Sequence, residues 1–252
     1  MKHSIKKWAF RLALSGLFFV ILLITFILNP SLLYAHKTIV GICNIYHNGP
    51  LDSIVLVRLN DAIEISKSSE LYDPHLQYDI CLDDGSLYPA LIRKFIDDDF
   101  SATFYNKTVF WGTFSFKDNY GVQDGHKWNL TQSTAHGFIH CQQFNKLGFF
   151  KSNPIAGYPS WKWEGYAEYI SRKLVPNNSL DSNINKLVQA EKKDTNWIEF
   201  PDGTGSTIKF YKRRLLVQFC SEIKKMDFEQ ILKDTSKENV VMNKMMTWYK
   251  MK

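Results

Sequence analysis

The chain has 252 residues, 45% of them hydrophobic and 22% charged, a composition that excludes a disordered or fibrous protein and suits one large packed domain. Its formal net charge of +6 is concentrated at the start, where Lys2, Lys6, Lys7 and Arg11 come before any acidic residue; beyond residue 35 the balance falls to +2. So nearly neutral a body carries no basic footprint for nucleic acid, which is excluded as a partner.

The four cations lead into an uncharged run, LALSGLFFVILLITFIL, over residues 12–28. Crossing a bilayer takes ~20 apolar residues, with tolerance down to about 17. A cleaved signal peptide has an apolar region of roughly 7–15 residues and a small-x-small site, whereas here Ala35 has the bulky Leu33 two positions before it. The segment is read as an uncleaved single-pass anchor, with a cleaved signal peptide as the alternative. The cations set the N-terminus in the cytoplasm, so the chain divides into a stub and anchor (1–35) and an extracytoplasmic body (36–252).

In the body, KTIVGICNIY (37–46) reads as a strand ending at His47-Asn48-Gly49-Pro50, and residues 51–66 carry apolar positions at helical spacing. A second strand is expected over 76–82, a short helix over 88–96, and a solvated acidic loop at Asp97, Asp98 and Asp99. SATFYN and TVFWGTFSF suggest a hairpin turning at Asn106-Lys107, followed by a polar loop over 121–127. From there the pattern is helical, over 130–147, 164–174, 180–191, 208–223, 228–232 and 240–249, with 192–207 polar and rich in turn formers. Strands first and helices afterwards predict an α+β fold: an N-terminal mixed β-sheet layer with helices, then a mainly helical C-terminal part, preceded by one transmembrane helix. Cys43, Cys81, Cys141 and Cys220 form no CxxC pair, which leaves either a Cys43–Cys81 disulfide or four buried thiols.

Asn129 and Gln132 have the spacing of a capping box at the start of the 130–147 helix, and Gly148 can end it. Inside it, HGFIH puts His136 and His140 one turn apart on one face, where two imidazoles can share a zinc ion. By itself an HxxxH pair also describes two polar residues of an ordinary packed helix. Downstream lies SWKWEGYAEYISRK, in which Trp161, Glu164, Gly165 and Ala167 make a Trp-x-x-Glu-Gly-x-Ala pattern.

Together the two segments resemble the gluzincin-type zinc metallopeptidases, in which an HExxH helix is followed by a helix whose Glu completes the metal site. The resemblance spans roughly residues 129–173 and implies a zincin-like fold, a membrane-anchored bacterial group, and Zn²⁺ held by His136, His140 and Glu164, acting on a peptide or protein. It also implies Glu168 as an outer group orienting a histidine, and Tyr211 as a candidate donor to an oxyanion. The family's general base, the Glu beside the first His, is replaced here by Gly137, which has no proton acceptor and in mid-helix costs about 1 kcal/mol relative to Ala. Nothing local favours a glycine there. Three functions follow: a zinc hydrolase in which another carboxylate such as Glu168 substitutes, a silent pseudopeptidase acting as an envelope binding module, or a structural membrane protein without metal.

Overall fold

The computed structural model describes residues 2–96 and 100–251, so the acidic run at 97–99 lies outside the described residues. A long apolar helix α1 (Lys2–Leu28) opens the chain, and its Phe10–Leu28 stretch is long and apolar enough to cross a membrane. It runs into the body without slack. Pro30 opens a short 3-10 turn and is buried, as is Tyr34. Tyr34 donates its hydroxyl to the Leu82 carbonyl at 2.8 Å, Ser86 donates to that of Leu33 at 2.8 Å, and Tyr88 donates to that of Ile27, the penultimate residue of α1, at 2.6 Å.

The body is α+β with a mixed sheet. Five strands lie in the order β1-β2-β3-β5-β4: β1 (His36–Val40), β2 (Cys43–His47), β3 (Tyr78–Cys81), β4 (Ser101–Phe104) and β5 (Lys107–Phe110). The central β2, β3 and β5 are parallel, and the edge strands β1 and β4 are antiparallel to their neighbours. The expected single strand over 37–46 is in fact the β1–β2 hairpin: Gly41 adopts φ +57° and turns the chain between Val40 and Cys43. Helix α2 (Ser53–Ser66), capped by the Asp52 side chain, connects β2 to β3, and α3 (Leu87–Ile92), shorter than its expected span, follows β3.

The hairpin predicted after residue 100 exists as β4 and β5, turning at Tyr105-Asn106, one residue earlier than expected. Beyond it, the expected polar loop is a hairpin of β7 (Tyr120–Gln123) and β8 (His126–Asn129) around Asp124-Gly125, joined by the short β6 (Phe114–Ser115). Asp-Gly between two strands is a strong hairpin signal, which the sequence reading passed over. Helices α4 (Leu130–Leu147), α5 (Ser160–Ser171), α6 (Leu180–Lys192), α7 (Ile208–Glu222), α8 (Phe228–Lys233) and α9 (Glu238–Lys250) complete the chain. The turn-rich segment before α7 holds a small hairpin, β9 (Trp197–Glu199) and β10 (Gly205–Thr207).

Apolar side chains gather in three places. One cluster packs α2 and α4 onto the sheet, with Phe138 stacked on Tyr78 at 4.4 Å. A second joins α5 to α9, and a third, with Tyr34, Tyr88 and Trp111, lies where α1 meets the body. Helix α4 is therefore held from both sides, by the sheet and by α5. All four cysteines are buried free thiols, so Cys43 and Cys81 do not pair.

Candidate metal centre

Helix α4 starts and ends where the sequence places it. The Asn129 side chain accepts from the Gln132 amide at 3.0 Å, and Gly148, at φ 75°, donates from its backbone to Phe144. The other half of the expected capping box is absent, because the Gln132 side chain accepts from Arg172 instead. On the α4 face toward α5, His136 and His140 converge on Glu164. Their Nε2 atoms lie 2.9 Å apart, and the Glu164 Oε2 is 3.3 Å from one and 3.2 Å from the other.

That triangle matches a metal. Ligand atoms bound tetrahedrally to zinc at about 2.0–2.1 Å lie roughly 3.3 Å from one another. The hydrogen bonds around the site lead to the same conclusion. The Gln143 amide donates to the Trp163 carbonyl at 3.1 Å, which leaves its oxygen facing His140 Nδ1 at 2.7 Å. Nδ1 must then carry the proton, and Nε2 of neutral His140 presents a lone pair to the cluster. His136 Nδ1 faces the Glu168 carboxylate at 3.9 Å, so its Nε2 is turned to the same point. Two lone pairs and a carboxylate oxygen aimed at one spot repel unless a cation sits between them. Two imidazoles and one carboxylate form a donor set suited to zinc, and His136, His140 and Glu164 could hold it.

The charges around the cluster are consistent with this. Burial disfavours a charged His136, but the Glu164 and Glu168 carboxylates outweigh it and push its pKa up to about 9. Burial likewise opposes ionisation of Glu164, yet the charges of His140 and His136 and their hydrogen bonds hold it well below the usual carboxylate range. Glu168 is lowered too: burial opposes, while the Arg172 guanidinium and His136 prevail. Arg172 Nε donates to Glu168 Oε2 at 3.2 Å, and Ser171 donates to the same oxygen at 3.3 Å. Both carboxylates therefore stay negative and favour a bound cation.

The site opens into a cleft of ≈ 660 Å³ walled by edge strand β4, α4 and α5. Gly137 lies on the β4 side, and here the structure supplies the reason for a glycine that local sequence lacks. A Cβ at this position would stand 2.5 Å from the Thr103 hydroxyl and 3.3 Å from that of Thr108, two groups that themselves meet at 3.3 Å. The helix passes too close to the sheet for a side chain. Gly165 is constrained in the same way, since its Cβ would lie 2.6 Å from the Arg213 carbonyl oxygen on α7.

Of the residues singled out from the sequence, His136, His140, Glu164, Glu168 and Gly137 come together around the cleft. Tyr211 does not join them: it is buried, and its hydroxyl donates to Asn183 at 3.0 Å. Gln143 and Arg172 went unrecognised, although each lies one helical turn from a residue already chosen, three after His140 and four after Glu168. The chain matches no family model, no curated protein and no solved structure.

Proposed function

We propose that the chain is a membrane-anchored, zincin-like protein of the gluzincin type, its body on the extracytoplasmic side, which holds Zn²⁺ on His136, His140 and Glu164 and binds a peptide or protein segment without hydrolysing it. When bound, zinc supplies an electrophilic centre that attracts a carbonyl or carboxylate oxygen. Gln143 and Glu168 orient the two imidazoles, and Arg172 keeps Glu168 in place.

The observation that carries the non-catalytic reading is the contact at Gly137. A peptidase needs a proton acceptor beside the metal, and the space for one is filled by the Thr103 hydroxyl. Among the described residues, the carboxylates lining the cleft are Glu164 and Glu168. One belongs to the metal cluster and the other is tied to Arg172 and Ser171, so neither is free to substitute.

Metal analysis of the full chain in mild detergent, with His136→Ala as control, tests the site: about one zinc per natural chain and none in the variant. Zinc absent from both removes the metal reading and leaves a structural membrane protein. Incubation of the zinc-loaded chain with a mixed peptide library tests the silence. Cleavage that disappears in His136→Ala would make the protein a hydrolase working without the family's carboxylate.

A further inference from the structure

The metal-binding face of α4 does not stop at the histidines. Phe144 follows His140 by four residues, as His140 follows His136, so the three side chains form one row along the helix. Beyond the helix end, Phe149 continues the row, with ring centroids 6.3 Å from Phe144. Tyr105, at the tip of the β4–β5 hairpin, covers them: its ring lies 4.5 Å from Phe144 and is stacked on Phe149 at 6.0 Å. Ile155 and Trp163, the latter stacked on His140 at 6.0 Å, line the same part of the cleft.

This shelf is half open. Tyr105 is 37% exposed, Phe149 45% and Ile155 51%. Its placement also comes at a conformational cost, because Tyr105 has φ 54° at the first position of a two-residue turn, where glycine is the favoured residue. An exposed aromatic held in that conformation gains little from burial in the fold. Strain of this kind gathers at ligand sites.

We infer that this shelf is a side-chain subsite beside the metal, and that the ligand is a peptide presenting a bulky apolar residue there, aromatic in preference to aliphatic. The inference rests on the zinc reading above and names the class of ligand for that site. Aromatic rings pair edge-to-face or offset with the exposed edges of Tyr105 and Phe149, and the cleft can hold such a side chain together with the backbone next to the metal. An acidic side chain would lose its hydration on the shelf with no cation among these residues to replace it.

The test uses hydroxamates, whose head group binds zinc, on the zinc-loaded full chain in mild detergent. N-acetyl-phenylalanine hydroxamate should bind at least about tenfold more tightly than the alanine compound, the discrimination one apolar pocket provides, with the leucine compound between them and the aspartate compound no better than alanine. Tyr105→Gly should reduce the phenylalanine preference to about twofold or less and leave alanine hydroxamate binding unchanged. Its melting temperature, measured without metal, should equal or exceed that of the natural chain, because glycine suits the turn. Equal binding of all the hydroxamates overturns the subsite and leaves the zinc reading standing. A marked fall in melting temperature also overturns it, because the ring would then serve the fold. If no hydroxamate binds, alanine included, the zinc reading falls and the inference falls with it.

Discussion

Gly137→Ala puts the contact between α4 and the edge hairpin to a quantitative test. In an unobstructed mid-helix position this substitution stabilises by about 1 kcal/mol, because alanine has less backbone freedom to lose. Here the new methyl would stand 2.5 Å from the Thr103 hydroxyl, well inside van der Waals contact. Relief requires turning the β-branched Thr103 out of its rotamer and away from Thr108, and overpacking of this kind costs about 1–3 kcal/mol. The net expectation is a loss of about 1 kcal/mol. In a Thr103→Ala background the obstruction is gone: the nearest remaining atoms are the Thr108 hydroxyl at 3.3 Å and the residue 103 Cβ at 3.6 Å. The same Gly137→Ala change should then stabilise by about 0.5–1 kcal/mol, so the two sites should couple by roughly 2 kcal/mol. The assay is urea denaturation of the four proteins in mild detergent with a chelator present, so that no metal offsets the loss by binding the folded state. A gain of about 1 kcal/mol from Gly137→Ala with Thr103 in place would refute the close approach, and with it the reason given for the missing carboxylate. By the same reasoning, Gly137→Glu alone is a poor restoration, and any recovered hydrolysis should need Thr103 shortened as well.

Gly165→Ala should be the more damaging glycine substitution, at about 2 kcal/mol or more, because its methyl would meet the backbone carbonyl of Arg213, which no rotamer change can move; the same denaturation experiment measures it. Zinc affinity should depend on pH through His136. With its metal-free pKa up to about 9, a proton must leave before the metal binds, so apparent affinity should rise about tenfold per pH unit from pH 7 and level off above about 9, as read by calorimetric titration. The sign reverses for stability: the folded pKa lies above the unfolded value of about 6.5, so the metal-free protein should lose stability as pH rises from about 6.5 through 9, while the zinc-loaded protein should not. A metal-free melting temperature that stays flat across that window would contradict the charge arrangement at the cluster.

What was legible in the sequence was local. The bounds of α4 follow from Asn129 and Gly148, which act within one turn of the helix ends, and the pairing of His136 with His140 follows from helical pitch. The α+β order could be read from the switch in hydrophobic period. Turns were harder, because Gly41 interrupts a run that otherwise looks like one strand, and Asp124-Gly125 lies between strands too polar to stand out. The reason for Gly137 could not be read locally at all, since it depends on a threonine thirty-four positions upstream that only the sheet brings near. Tyr211 shows the same limit: its position at the start of α7 was visible, but the face it presents to Asn183 is set by how α6 packs.

The joint between α1 and the body has a consequence for how the cleft meets its ligand. Seven flexible residues between Leu28 and His36 would give a leash of roughly 15 Å, on which a domain could tumble and sample the space above the surface. Residues 29–35 are instead pinned by Pro30, Tyr34 and the hydroxyls of Ser86 and Tyr88. If α1 crosses a bilayer, body and anchor tilt and rotate as one piece. The cleft then keeps a constant height and heading over the lipid, and its search for a ligand is reduced to drift in the plane of the membrane and spin about a single axis.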